Sequence, residues 1–425
     1  MPVTPGGGSG QPPVQILVGP PGGGTAQNVT NMIDLDTVEI EETGNQEGAS
    51  FTARLRDRSL LFSSMRGEWR LRVEWRNPTN GAWQPMFRGF IREPSPEIAA
   101  IYGEFGISAE DTGTLLDAAV IQTQGVERAA GESDKARIQW LLSGLEGRDG
   151  IKVGQPLLQE MASGGAVDWS KVQVLNASMP KQTFPARLSL RQGLERILSQ
   201  ASDSADYFLD NEPRLWTFDA DTMASVLDTA PYAIRVGSPG AGEVAPENLV
   251  VAWDSSNIWN GYFVRGANAK VSKTFLDSDP FPALSTGNLP GPYSVGIYGR
   301  RIGMLSAPDA DTDAKVQRFV KAALRDTRNP VPRITFSLSE SSCYDASGKR
   351  WRGGQRVYIY SAIHGLNGSS TDAGPWAGSN GGAGHQLQPF RIKRVTTRFV
   401  SGAGAMVVDI EAGGRRKVLF SGSAS

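Results

Sequence analysis

The middle of the chain constrains everything around it. Ser189 and Gln192 have the spacing of a capping box, in which the serine oxygen accepts from a first-turn N–H and the glutamine reaches back. Leu190, Leu194, Ile197, Leu198 and Ala201 follow at helical spacing on one face, and Arg191, Glu195 and Arg196 take the other. The period breaks at residues 202–206. Residues 207–209 and 215–218 read as strands, joined by the turn Asp210-Asn211-Glu212-Pro213-Arg214. A helix followed by a hairpin is a small α+β packing unit, and it separates two regions patterned for strands.

The first region covers residues 36–109. Val38-Glu39-Ile40-Glu41 and residues 51–55 alternate apolar with polar. Residues 69–75 form the cleanest strand, with Trp69, Leu71, Val73 and Trp75 on one face and Arg70, Arg72 and Glu74 on the other. A turn at residues 77–81 returns the chain to residues 86–91, and residues 102–109 add another strand. Short strands at this spacing indicate a sandwich or barrel. Residues 133–145 predict a helix through Ile138, Leu141, Leu142 and Leu145, whereas 150–184 show little pattern. The second β region begins with strands at 248–267 around a turn at 254–257. It continues at 334–338, 355–360, 390–399 and 405–411, which implies a second barrel. A helix beside it starts at Asp311 or Thr312, buries Val316, Phe319, Val320, Ala323 and Leu324, and stops at Asn329-Pro330-Val331-Pro332. Residues 220–245 and 270–292 read as loop. The two β regions are candidates for related units, which the residues alone do not establish.

The expected fold class is mainly β, α+β overall, with two barrel domains flanking and linked by an α+β module. The divisions are a Gly/Pro-rich arm at 1–30, a first β domain at 31–125, a middle domain at 126–245, and a second β domain at 246–425. That last domain carries a Gly/Ser-rich insertion at 361–388, a length usually functional or disordered. The arm should not fold alone. Its apolar run at 14–18 is either loose or an added strand on a neighbouring molecule.

Composition narrows the function. A net charge of −1 creates no global field toward nucleic acid or an acidic membrane. Fifty glycines, 26 prolines and ten tryptophans suit a β-rich chain with long loops. Cys343 is the single cysteine, so stability must come from packing or assembly. No stretch resembles a signal peptide or reaches the ~18 apolar residues of a membrane helix. The expectation is a soluble protein without a membrane anchor.

Catalytic motifs are scarce. Residues 19–25 have the glycine spacing of a phosphate loop, but Gly24 stands where its lysine belongs, and prolines replace N–H donors. Residues 309–313 resemble the start of a calcium loop. Ala314 replaces the required glycine and Val320 the final glutamate, so acidic residues at a helix N-terminus are the better account. His364 and His385 are the only histidines and read as solvated loop residues. A glycosidase-type carboxylate pair stays open, because such pairs have no obligatory spacing. Glu39 and Glu41 share a strand face about 7 Å apart, as on any solvated strand or the wall of an aqueous channel. No cofactor or metal is called for.

Several stretches in order resemble the baseplate-hub or tail-tip proteins of long-tailed bacteriophages and contractile injection systems. Residues 38–57 (VEIEETGNQEGASFTARLRD) are similar to the family's first β-pair, and 189–219 (SLRQGLERILSQASDSADYFLDNEPRLWTFD) to its middle module. Residues 248–266 (NLVVAWDSSNIWNGYFVRG) resemble the start of its second barrel. Residues 298–338 match the helix beside that barrel, and 354–360 with 391–411 its closing strands. The arm, the 361–388 insertion and residues 150–184 depart from the pattern. The resemblance implies tube-like barrels in a homotrimer, so that three chains present six barrels. It implies docking onto a hexameric tail tube or distal tail protein ring, with trimeric tip, fibre and tape-measure proteins as neighbours. It further implies transient passage of DNA, residence in the virion tail tip after assembly in the host cytoplasm, and no enzymatic activity. Glu39, Glu41 and Glu42 are then candidates for the channel wall. Two other readings stay open: a receptor- or glycan-binding tail protein, suggested by the tryptophans, and a tail-associated cell-wall hydrolase.

Overall fold

The structure is a computed structural model. It describes residues 13–20, 25–43, 48–56, 69–77, 80–92, 104–118, 120–121, 126–146, 152–162, 165–202, 205–219, 232–240, 243–254, 258–268, 270–284, 288–289, 293–307, 310–328, 331–344, 350–361, 363, 390–400 and 405–413. The 361–388 insertion, with His364 and His385, lies almost wholly outside the described residues.

The first β region contains β1 (Val14–Gly19), β2 (Gln27–Asn28), β3 (Ile33–Thr43), β4 (Ala49–Arg56), β5 (Arg70–Arg76), β6 (Trp83–Ile91) and β7 (Glu104–Asp111). Alternation decides which side chains go inside. Ile40, Phe51, Leu55, Leu71, Val73 and Trp75 are buried, each contributing on the order of 1.5–3 kcal/mol by leaving water. The apolar run near the N-terminus is not loose, nor does it need a neighbour: β1 pairs antiparallel with β5 of its own chain over six residue pairs. Glu74 departs from the simple alternation. A register shift follows Val73, and Glu74 is buried, accepting a hydrogen bond from the Gln15 side chain.

The middle unit holds α1 (Leu115–Ala118), β8 (Val120–Ile121), β9 (Val126–Arg128), α2 (Asp134–Ser143), α3 (Gln155–Ala162), β10 (Gln182–Phe184), β11 (Leu188–Ser189), α4 (Leu190–Ala201), β12 (Ala205–Leu209) and β13 (Leu215–Asp219). The capping box forms as its spacing predicts, and α4 buries the expected apolar face. Helix α2 is capped by Ser133 and packs Leu141 over Gly193, where any side chain would crowd it. The weakly patterned stretch supplies α3 and β10, short elements held by a shared core through Leu157, Met161 and Phe184.

The second half contains β14 (Tyr232–Arg235), β15 (Glu247–Asp254), β16 (Gly261–Arg265), β17 (Lys273–Leu276), α5 (Ser294–Tyr298), β18 (Ile302–Ser306), α6 (Asp313–Thr327), β19 (Val331–Ser339), β20 (Arg356–Tyr360), β21 (Phe390–Val400) and β22 (Ala405–Gly413). Thr312 caps α6, as expected. Three expectations change here. Strands β15 and β16 do not form one unit: β15 joins the large sheet, and β16 is the centre of a separate sheet ordered β17-β16-β18. Helix α6 packs on that small sheet, with Val316, Val320 and Leu324 against Tyr262, Val264 and Phe275. Strands β14 and β17 lie in stretches that read as loop, and β18 in one to which no strand is assigned, all three being too short to show a period.

The two β regions run into one thirteen-stranded, largely antiparallel sheet. No closed barrel appears among the described strands. Their order reveals an internal duplication. Neighbours in the first half run β3-β4-β7-β6-β5-β1. In the second half they run β15-β19-β22-β21-β20-β14. Each strand holds the same rank in chain order and in space. The small sheet and α6 are inserted where the first half has only the β3–β4 turn. One difference remains, since β1 is antiparallel to β5 and β14 parallel to β20. The halves share one core and touch where Trp75 stacks on Tyr344, ring centroids 4.3 Å apart.

Candidate functional site at the sheet seam

Strands β3 and β21 form the seam between the two halves. Their antiparallel ladder runs from Arg394 opposite Thr43 to Arg398 opposite Glu39. The two faces of this seam have different chemistry.

The outward face carries one sign of charge per strand. Strand β19 presents Arg333, β22 Asp409 and Glu411, β21 Arg394 and Arg398, β3 Glu39 and Glu41, and β4 Arg54. Neighbouring strands neutralise one another. Arg333 lies 3.0 Å from Glu411, Arg394 3.3 Å from Glu41, and Arg398 pairs with Asp409. Such cross-strand pairs favour this register over a slipped one. Thr52, Thr335, Ser337 and Thr396 fill the positions between. Glu39 is exposed and Glu41 half-buried, so both sit on this face as their spacing predicts.

Glu42 is different. The third acidic candidate turns inward, 8% exposed, and does not reach the outward face. Its Oε2 accepts from Nη2 of Arg350 at 2.9 Å, and its Oε1 accepts from Nδ2 of Asn211 at 3.1 Å. Arg352 lies 3.7 Å away. Arg350 and Asn211 also both donate to the carbonyl of Met86. One carboxylate therefore ties β3 to the middle hairpin, to the segment before β20, and indirectly to β6. Asp210 shapes the hairpin turn for this contact. Its carboxylate accepts from the backbone N–H groups of Glu212 and Arg214, from the Arg214 side chain, and from Nε1 of Trp216.

Beside this junction lies a narrow cleft of about 50 Å³, lined by Glu42, Asp111, Asp210, Trp216 and Arg352 among others. That is room for a water or two. Burial pushes the Asp111 carboxyl up to about 6, against the opposing pull of the Ala49 and Gly113 N–H groups and of Arg191; Glu42 pushes it further up. Gly48 makes the contact possible. Its φ is +82°, and a Cβ there would fall 2.5 Å from Asp111 Oδ1.

Arg350, Arg352 and Asn211 escape sequence reasoning because they sit outside the regular strands and helices and join Glu42 only through the fold. The other motifs resolve locally. Gly19 ends β1, while residues 21–24 of the glycine run lie outside the described residues. Asp311, just before the Thr312 cap, pairs with Lys315 at 2.8 Å, and Asp309 lies outside the described residues. Cys343 is buried, its thiol donating to the Met406 carbonyl at 3.0 Å. Among the described residues no cluster of three His, Cys, Asp or Glu could hold a metal, and no helix is long and apolar enough to cross a membrane.

No protein-family model and no curated protein matches the sequence. Solved structures do match, nearly end to end. The tail protein from Neisseria meningitidis MC58 aligns with TM-score 0.58 at 14% identity, covering 94% of this chain and 96% of that one. The 43 kDa tail protein of prophage MuSo2 from Shewanella oneidensis aligns with TM-score 0.57 at 10% identity, covering 94% and 98%. Prophage tail protein gp18 from Listeria monocytogenes EGD-e aligns with TM-score 0.50 at 11% identity, covering 95% of each. Over almost its whole length, this chain has the fold of phage tail proteins.

Proposed function

We propose that the chain is a structural virion protein, the hub of a phage tail tip. In this reading it works as a homotrimer that adapts a hexameric tail tube or distal tail protein ring to trimeric tip, fibre and tape-measure proteins. It lines the passage for DNA and carries out no catalytic step. It is assembled in the host cytoplasm and resides in the tail tip. Strands β1 and β3 to β7 on one side, and β14, β15 and β19 to β22 on the other, act as the tube-like units expected at 31–125 and 246–425, and the elements from α1 to β13 bridge them.

The doubled strand order carries this reading. A chain with two equivalent units gives six in a trimer, which matches a hexameric partner. The seam also suggests how copies join. Strand β21 of the second unit covers the outer edge of β3 in the first. The equivalent of β3 is β15, which among the described strands pairs only with β19, and its Val250 is exposed. The equivalent of β21 is β6. In β6 the edge that β21 gives to β3 is paired with β5 from Trp83 to Phe90, so one copy meets the β15 edge of the next head to tail without repeating the seam's ladder. Such a head-to-tail contact closes when the rotation completes a ring.

The outward seam face, with Glu39 and Glu41, is then the channel wall, and Glu42 braces it from behind. Paired charges present passing phosphates with neither a strong attraction nor a strong barrier. Mass photometry of the purified protein and an electron microscopy map of the virion test the proposal. A trimer at the tail tip with Glu39 and Glu41 facing the axis is expected. Density for this chain elsewhere in the particle overturns the hub, and these side chains on the outer rim overturn the channel assignment.

A further inference from the structure

The inserted small sheet has features that its own packing does not use. One face of β17-β16-β18 is covered by α6. The other presents Phe263 beside Met304 in the β16–β18 register, and Ile302 and Leu276 closing over Gly261. Among the described residues, six of the ten exposed large apolar side chains fall within residues 259–304, so the exposure is concentrated here rather than scattered. Met304 is the most exposed of these six, at 77%.

Strand β18 is also an open edge. The Arg301 carbonyl accepts from Gly261, and Ala307 donates to the Arg265 carbonyl, so backbone groups of odd-numbered residues face β16. Strand alternation then points the N–H and C=O groups of Ile302, Met304 and Ser306 outward. None of the protections usual for edge strands is present within β18: no proline, no charge, no covering element among the described residues.

The charges nearest this edge on its open face and at its start are positive: Arg265 stands opposite Ser306, and Arg300 and Arg301 immediately precede β18, while beyond its other end Asp311 is paired with Lys315. The acids after β17 are engaged in turns: Asp277 is buried and accepts from Ser294 N, and Asp279 accepts from Leu276 N. A partner should therefore be extended, apolar at alternate positions and acidic between them. A lipid surface answers the charge and the apolar face but offers nothing that matches a row of unpaired amides.

We infer that the free edge of β18 is a docking site for an extended acidic segment of another protein, added as a fourth strand, with its apolar residues on Phe263, Ile302 and Met304. This surface belongs to a sheet separate from the seam, and the inference does not depend on the trimer.

Hydrogen exchange and fluorescence anisotropy on the full chain test it, using an octapeptide of alternating valine and glutamate as probe. The peptide should slow exchange at the Ile302, Met304 and Ser306 amides. Met304→Lys should weaken binding by about tenfold or more at an unchanged melting temperature, as should replacing glutamate by lysine in the peptide. Exchange at these amides that the peptide leaves unchanged overturns the inference. So does equal binding of the lysine peptide, or protection given by phosphatidylglycerol vesicles and not by the peptide.

Discussion

Glu42→Gln removes the charge at the centre of the seam and keeps the side chain's shape. In the native protein its two oxygens serve Arg350 at 2.9 Å and Asn211 at 3.1 Å, and Arg350 is only 5% exposed. The variant has one acceptor oxygen for two donors and turns an NH₂ group toward the other. Breaking one side of a buried ion pair costs about 3–5 kcal/mol. Arg350 keeps the Met86 carbonyl, which argues for the low end, about 3 kcal/mol. The more exposed Arg352, at 3.7 Å, adds little. The loss should appear first as local opening where β3 meets β21. Native-state hydrogen exchange at the amides of residues 39–43 and 394–398 should then speed up by about a hundredfold, since 1.4 kcal/mol is a factor of ten. Glu39→Gln, on the outward face of the same strand, should change exchange by less than about 0.5 kcal/mol. A double variant, Glu42→Leu with Arg350→Met, should regain most of the lost stability, because no buried charge is left unpaired. If Glu42→Gln and Glu39→Gln prove equally mild, the seam does not depend on this carboxylate and the account of the junction is wrong.

Three further outcomes follow from the same structure. Asp111 has its carboxyl raised from 3.8 to about 6, so its protonated form favours the fold; that contribution is full below about pH 4 and is lost as pH rises through about 6. Relative to Asp111→Asn, the native protein should lose about 2–3 kcal/mol across this window, as read from urea midpoints at successive pH values. Ser189→Ala removes the hydroxyl that caps α4 and should cost about 1 kcal/mol in thermal or chemical denaturation. A Cβ on Gly154 would stand 2.0 Å from the Leu142 carbonyl, so Gly154→Ala should destabilise the middle unit by several times the cost of the lost cap. A wild-type melting curve for that variant would show that the α2–α3 approach is looser than described.

Local signals settled much of this protein before any contact was known. The Ser189–Gln192 capping box, the apolar face of α4, the hairpin that follows it and the strands from β3 to β7 are each set by neighbours a few residues apart. The end of α6 at Thr327, ahead of the prolines, and the cap at Thr312 are equally local. The doubling of the strand order is not local. It consists of which strand lies beside which, and the second half hides it by inserting a small sheet and a helix where the first has a turn. The split among Glu39, Glu41 and Glu42 follows the same division. Alternation along β3 put the first two on one face. Only Arg350 and Asn211, brought from remote segments outside the regular strands, could make a buried place for the third, because burying a carboxylate requires partners that sequence spacing does not supply. The open edge of β18 is likewise a property of the assembled sheet, since a strand is an edge only when nothing in the finished fold lies beside it.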